Sequence, residues 1–421
     1  MHHVTKDDLI AEIERDRASH IAFLQAFIRE PSPNPPGDTR QAAAVVTRYL
    51  ANRGIEASIV APREDLPNVV AEFDGGRSGR RLVMNGHIDV FPVGDGSGWS
   101  HDPWSGVLED GCVHGRGACD MKAGTAASVI AFSYLHARRA ALAGSLGLTA
   151  VSDEETGGRW GSRWLLENDT RWHGDCMINA EPSGLQTVRF AEKGTLRLTF
   201  TVRTAGAHGA YLHKSESATR IAASLINRLG QIEAIVPDLA PSLRAYLALP
   251  DVRAAADRAM GAGAADILTR PTLNIGTVQG GLKVNMIPAS CAFEADIRLP
   301  IGLDAARVMQ TIRTILADYP QAEVAVQEAA SNPSNSCAHD HPMVGIIARN
   351  AEAVSGVRPI AVPSLGATDC KFWRYHKVPA YIYGPAPTRM AAADECVSVE
   401  EFMTVIKTHA LSAWDYLTGS E

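Results

Sequence analysis

The segment RLVMNGHIDV, at residues 81–90, combines an apolar strand with side chains capable of chemistry. Its first half, Arg81–Asn85, is apolar on successive residues, which is typical of a strand covered on both faces of a largely parallel sheet. Two further runs, Leu146–Ser152 and Cys176–Ala180, share this pattern, and Lys122–Ala141 reads as a helix between them. The alternation predicts an α/β domain of three layers around a mostly parallel mixed sheet.

A second pattern begins near residue 192 and predicts a different kind of domain. In KGTLRLTFTVRTAG apolar and polar residues alternate from Leu196 to Arg203, and ASCAFEADIRLP alternates in the same way. Such strands are covered on one face only. We therefore expect a catalytic domain in two parts, 1–191 and 331–421, interrupted by an inserted α+β domain at 192–330.

Composition limits the classes of protein and partner. The 421 residues are 46% hydrophobic, carry a formal charge of −7 and contain no basic block, which argues against a nucleic-acid or anionic-membrane partner. No apolar stretch approaches the roughly 18 residues that a membrane span needs. Seven cysteines without a CxxC pair are expected to be reduced thiols. These features predict a cytoplasmic protein that acts on a small molecule.

Acidic and imidazole side chains follow the buried runs at corresponding places. The strand at 81–85 leads to His87 and Asp89, and the later parts of the pattern supply four more carboxylates: Asp120, Glu154, Glu155 and Glu181. Because the carboxyl ends of parallel strands share one edge of a sheet, these side chains are candidates for a single cluster.

Carboxylates crowded at a buried edge repel one another unless a cation neutralises them. One imidazole with several carboxylates suits zinc, manganese or cobalt better than magnesium or calcium. The spare carboxylate of the Glu154–Glu155 pair is then placed to take a proton from water that the metal activates.

Each of these residues also has an ordinary structural interpretation. His87 fits a hydrogen-bonded loop, Asp89 a turn, Asp120 a helix N-cap, and Glu154 with Glu155 a solvated pair. Glu181 before a proline fits the end of a strand. Recurrence at successive strand ends is what favours the metal centre.

An ordered series of motifs resembles one enzyme family over most of the chain. MNGHIDVFP, GWSHDPWSGVLEDGCVHGRGACDMKAG, TAVSDEETGG and INAEPS are similar to the family of acetylornithine deacetylase, succinyl-diaminopimelate desuccinylase, aminoacylase and glutamate carboxypeptidase. GAHGAYLH, GGLKVNMIPASCAFEADIRLP and SLGATDCKFWRYHKVPAYIYGP extend the resemblance.

The resemblance implies roles for the clustered residues. His87, Asp120 and Glu181 would bind one metal, and Asp120 with Glu155 would bind a second. Glu154 would be the general base and later the acid, and Asp89 would orient His87. These roles imply a metal-dependent hydrolase of an amide-type C–N bond.

The inserted domain resembles the family's lid, which implies a homodimer formed through it. His208 would polarise the scissile carbonyl in a neighbouring subunit, while Asn285 and Arg298 would hold the substrate, with Arg298 suited to a carboxylate. The sequence without the resemblance favours a loop histidine at 208 and a solvated arginine at 298.

One departure from the family concerns the second metal. The family supplies a last histidine ligand just before an acidic pair, but here alanines occupy 391–393 before Asp394 and Glu395, and no histidine lies between His376 and His409. We therefore expect one tight metal at His87, Asp120 and Glu181, with the second site weak or empty.

Three functions remain open at this level. The first is hydrolysis of an N-acyl amino acid or small peptide. The second is release of ammonia from a non-peptide amine, with a pocket that Trp99, Trp104, Trp160, Trp164 and Trp373 could line. The third is a non-catalytic binding protein, which the retention of Glu154 argues against.

Overall fold

The computed structural model describes residues 5–419 and divides the chain into two compact units. The first comprises residues 5–190, 337–362 and 368–419, and the second comprises 191–336 and 363–367. The domain borders expected from the sequence, near residues 191 and 330, stay predictions. Residues 1–4 and 420–421 of the predicted catalytic domain lie outside the described residues.

The helices and strands follow one another along both units. The α-helices are α1 Lys6–Arg15, α2 Arg17–Ile28, α3 Arg40–Ala51, α4 Ala123–Ala137, α5 Ser162–Asn168, α6 Ala218–Leu229, α7 Pro241–Leu247, α8 Pro250–Met260, α9 Ala264–Leu268, α10 Ala305–Leu316, α11 Pro342–Ser355, α12 Cys370–Tyr375 and α13 Val399–Thr418. The strands are β1 Ser58–Val60, β2 Asn68–Asp74, β3 Arg77–His87, β4 Leu108–Glu109, β5 Cys112–His114, β6 Ala143–Val151, β7 Cys176–Asn179, β8 Thr187–Glu192, β9 Gly194–Arg203, β10 Ala207–His208, β11 Thr272–Gly280, β12 Met286–Ile287, β13 Ser290–Leu299, β14 Ala322–Val326, β15 Asn335–Ser336, β16 Ile360–Ser364, β17 Ala380–Ile382 and β18 Cys396–Ser398.

A large mixed sheet organises the first unit, which confirms the predicted α/β class. Its strands lie in the order β1-β2-β6-β3-β7-β17-β8. The central pairs β6–β3, β3–β7 and β7–β17 are parallel. The outer pairs β1–β2, β2–β6 and β17–β8 are antiparallel, so the parallel character is confined to the centre.

The parallel register brings three strand ends to one edge of this sheet. His87, the last residue of β3, pairs with Val151, the last residue of β6. Asn85 pairs with Asn179, the last residue of β7, two positions before Glu181. The residues after β6 and β7 therefore emerge beside His87, as expected for the carboxyl ends of parallel strands.

Helices cover both faces of the sheet. Helices α4 and α13 contact each other and β3. Elsewhere a buried cluster joins α5 and α12 to sheet residues such as Val83, Met177 and Ile382. This burial explains why the strands read as continuous apolar runs rather than as alternating ones.

The second unit contains an antiparallel sheet with one covered face, as its alternating sequence predicted. Its strands lie in the order β11-β13-β9-β14. Phe200 and Phe293 stack at 4.7 Å between ring centroids, and their cluster includes Leu225 of α6 and Ile312 of α10. Among the described residues of both units, no helix combines the length and the apolar character that crossing a membrane requires.

Candidate metal centre

Three predicted ligands converge at the carboxyl edge of the sheet. His87 ends β3, Asp120 lies in the turn before α4, and Glu181 follows β7. The Nε2 atom of His87 lies 3.2 Å from Asp120 Oδ1 and 3.3 Å from Glu181 Oε1. One ligand atom from each residue falls within 4.8 Å of the others. The three side chains are almost fully buried, so they can surround one ion.

Asp89 contacts the imidazole of His87. His87 Nδ1 lies 2.8 Å from the Asp89 backbone oxygen. Because a carbonyl oxygen only accepts hydrogen bonds, Nδ1 carries the proton in the neutral ring, and the lone pair of Nε2 faces Asp120 and Glu181. The Asp89 carboxylate, fully buried, accepts a hydrogen bond of 2.9 Å from the Asn34 side chain.

The same carboxylate holds the turn that carries the predicted base. The backbone N–H groups of Glu154 and Glu155 donate to Asp89 at 3.3 Å and 3.2 Å. Asp89 therefore contacts the imidazole through its backbone oxygen and the Glu154–Glu155 turn through its carboxylate, and its role in orienting His87 stays a prediction.

Glu154 and Glu155 occupy different environments. Glu154 lies 3.6 Å from the ammonium of Lys371, and its burial raises its pKa well above the usual value. Glu155 lies outside the close group of three, and its Oε1 has no hydrogen-bond partner among residues 5–419. Burial first, and then the nearby Asp120 carboxylate, raise the pKa of Glu155 to about 11.

The donor set and its electrostatics fit a divalent cation. Burial, followed by Asp120, raises the pKa of Glu181 to about 7. Burial would by itself lower the pKa of His87, but the surrounding carboxylates raise it well above its usual value. A positive charge at this point would relieve both shifts.

Sequence reasoning missed several residues that surround this cluster. Asn34 follows the first helices, while Asp369 and Lys371 lie at the start of α12. Asp369 is buried, accepts a hydrogen bond of 2.8 Å from Ser162, and has a pKa raised to about 6 by burial. The TDCK segment belongs to one of the motifs that resemble the family, but no periodicity or spacing in the sequence indicates that it lies beside Glu154.

The predicted substrate-binding residues lie in the second unit. Exposed His208 lies on β10, which pairs with β12. The backbone N–H of the next residue, Gly209, donates to the backbone oxygen of Asn285 at 2.7 Å. His208 and Asn285 are therefore neighbours. Half-buried Arg298 on β13 pairs with Asp296 at 2.9 Å.

The tryptophans suggested as a pocket lining are largely occupied in packing. Trp373 is completely buried and donates to the Trp172 oxygen at 2.9 Å, so it belongs to the core. Trp104 lies over the buried Lys122 ammonium, and Trp164 packs against the cluster at α5 and α12. The lining interpretation is therefore wrong for Trp373.

Comparisons with known proteins find similarity over most of the chain. The profile of Peptidase family M20/M25/M40 matches residues 83–415. The chain is 28% identical over 411 residues to succinyl-diaminopimelate desuccinylase of Cereibacter sphaeroides, covering 94% of this chain and 99% of the relative.

Solved structures share the fold. The M20 family metallo-carboxypeptidase Sso-CP2 from Sulfolobus solfataricus superposes with a TM-score of 0.79 at 19% identity, covering 94% of this chain and 99% of the other. Bacillus subtilis YXEP, described as a dinuclear metal binding peptidase from the M20 family, has a TM-score of 0.65 at 18% identity, covering 96% and 99%. At such identities the likeness establishes the fold alone.

Proposed function

Since the chain belongs to peptidase family M20/M25/M40, we propose that it cleaves an amide bond in a small substrate that carries a carboxylate, an N-acyl amino acid or a short peptide. The chain is a metal-dependent hydrolase of C–N bonds, which sets aside the alternative of a non-catalytic binding protein. The observation that carries the proposed amide hydrolysis is the convergence of His87, Asp120 and Glu181 beside Glu154.

The proposed mechanism assigns a separate task to each residue. His87, Asp120 and Glu181 would hold a divalent cation, which when bound supplies Lewis-acid polarisation of the carbonyl and a lowered pKa for water. Glu154 takes the proton from the attacking water and returns it to the leaving nitrogen as the C–N bond breaks. Asp89 keeps the imidazole and the Glu154 turn in fixed relative positions.

We propose one tightly held ion of zinc, manganese or cobalt. The close group supplies one nitrogen and two carboxylates, a donor set that suits these metals. A second ion at Asp120 and Glu155 would lack the family's histidine, because alanines occupy 391–393. Metal analysis that found two tightly held ions per chain would contradict this proposal.

The second unit supplies the proposed substrate contacts. Arg298 is proposed to hold the substrate carboxylate, although it must exchange at least part of its ion pair with Asp296 to do so. Exposed His208, held next to Asn285, is proposed to polarise the scissile carbonyl in a neighbouring subunit.

A homodimer through the second unit is supported by an exposed apolar edge. Edge strand β11 exposes Val278, and the loop after it exposes Leu282 and Val284 at 91% and 100%. Apolar residues clustered on an open sheet edge are typical of an interface. Light scattering should therefore give twice the chain mass of 45.0 kDa.

The paired change Leu282→Asp with Val284→Asp should convert this dimer into monomers, because it places charges on the apolar edge. The paired change Ile59→Asp with Leu108→Asp, at exposed positions of the first unit, is the control and should leave the mass unchanged. A wild-type protein that remains at the single-chain mass across micromolar concentrations would contradict the proposal.

The alternative chemistry is release of ammonia from a non-peptide, aromatic amine, which the altered loop at 391–393 favours. We expect metal-loaded protein to cleave N-succinyl or N-acetyl amino acids or dipeptides, and to lose this activity on chelation. The assay follows amine release over a panel that also contains aryl amines. Turnover of the aryl amines alone would replace the amide proposal with the alternative.

A further inference from the structure

Glu395 is a buried carboxylate that contacts the backbone of a proposed metal ligand. It is the last residue before β18 and is fully buried. Its Oε1 accepts hydrogen bonds from the backbone N–H groups of Cys119 at 2.9 Å and of Asp120 at 3.0 Å. The Glu395 carboxylate therefore binds the backbone of Asp120, the residue whose side chain faces His87.

Arg116 holds Glu395 in place from the other side. Its Nη1 pairs with Glu395 Oε2, and its Nη2 donates to the backbone oxygen of Ala391 at 3.0 Å. Arg116 is itself only 3% exposed and lies against the ring of Trp99. The Arg116 guanidinium thus contacts two positions of the loop that precedes β18, Ala391 and Glu395.

The contacts close a ring around the ligand. Arg116 and Asp120 belong to one short segment, and Glu395 joins them through its two oxygens. Asp120 and the following Met121 both have non-helical backbone angles, φ −116° and ψ 101° at Asp120, so the helical hydrogen-bond pattern is interrupted here and the Asp120 N–H needs another partner. Glu395 supplies that partner, and the amide position in turn sets where the Asp120 carboxylate lies.

Burying a carboxylate is costly unless charged and polar donors surround it. Glu395 receives a guanidinium and two amides, so the cost is offset by charge-assisted hydrogen bonds. Besides pairing with Arg116, Glu395 contacts the backbone amide of a proposed metal ligand. The geometry therefore has a specific consequence at the metal centre.

We propose that Glu395, held by Arg116, is a positioning residue for Asp120. The loop that lacks the family's histidine would then still contribute to the metal centre, through the backbone of a ligand instead of through a ligand of its own. This inference rests on the proposed metal-dependent function.

The test compares Glu395→Gln with a matched change far from the centre. Asp415→Asn also neutralises a buried carboxylate, one that pairs with Lys6 at 2.6 Å and accepts from Asn350 at 2.9 Å. Zn²⁺ affinity is measured by competition with a chromophoric chelator, and thermal unfolding is followed in parallel.

We expect Glu395→Gln to weaken Zn²⁺ binding roughly 10- to 100-fold, as changes in groups that orient metal ligands do. Asp415→Asn should lower the melting temperature but keep Zn²⁺ affinity within about two-fold, since it orients no ligand. With Zn²⁺ limiting, Glu395→Gln should lose kcat while KM for substrate stays unchanged.

Arg116→Lys provides a second variant in case Glu395→Gln does not fold. Lysine keeps the positive charge but cannot donate to Glu395 and to the Ala391 oxygen at once as the planar guanidinium does. Zn²⁺ affinity should therefore fall by a smaller factor than in Glu395→Gln. Wild-type affinity in either folded variant overturns the inference and leaves the proposed function standing. A wild-type protein that binds no divalent metal overturns both.

Discussion

Replacing Glu154 with Gln should lower kcat by about 10³-fold while bound metal is retained, because the change removes the proton acceptor and keeps the shape. Glu154 follows β6 beside the three converging residues, and its backbone N–H is fixed by Asp89. Its side chain is 12% exposed and lies near Lys371, so no solvent-borne base replaces it readily. KM should change little, since Glu154 is proposed to act on water and on the leaving nitrogen.

The measurement is steady-state kinetics on the best substrate of the panel, with metal content determined on the same samples. Glu167→Gln is the matched control, because Glu167 is half-exposed on α5 and pairs with Arg163 at 2.8 Å. It should keep wild-type kcat. If metal-loaded wild type and Glu154→Gln prove equally inert on N-acyl amino acids, peptides and aryl amines, the assignment of Glu154 as the base fails.

Replacing His87 with Ala should weaken metal binding by more than about 100-fold, exceeding the loss expected from a group that only orients a ligand. The imidazole is the only nitrogen donor in the close group found among residues 5–419. Its removal leaves Asp120 and Glu181 facing each other in a buried site, where mutual repulsion favours protonation over metal binding. Activity should fall with metal content.

Metal analysis after dialysis should find one ion per wild-type chain and almost none in His87→Ala. His101→Ala is the control, since His101 pairs with Glu109 at 3.0 Å outside the centre. It should leave the metal content unchanged. Retention of a full ion by His87→Ala would show that the ion binds elsewhere.

The central sheet and the three converging residues were predictable because each depends on a local pattern. Continuous apolar runs marked β3, β6 and β7, and the shared edge of parallel strands brought His87 and Glu181 together. The borders were less certain, since β3 runs from Arg77 to His87 and thus includes the histidine that we expected to follow it. Alternation likewise identified the sheet of the second unit.

The remaining parts of the centre depend on contacts that no local pattern encodes. Asn34 reaches Asp89 across 55 positions, and Glu395 reaches Asp120 across 275. Both residues lie in irregular segments, where neither the helical nor the strand period applies. The family resemblance indicates only that the final loop lacks a histidine ligand. It does not indicate that Glu395, which follows in the same loop, contacts the backbone of Asp120.

The ring formed by Arg116, Asp120 and Glu395 has a consequence for how the protein matures in the cell. The two halves of that ring are separated by the whole second unit, so the centre has very high contact order. A nascent chain that has emerged only as far as residue 336 contains Arg116 and Asp120 but not Glu395. If Glu395 positions Asp120 as proposed, full metal affinity requires Glu395 to have been translated and its loop to have docked.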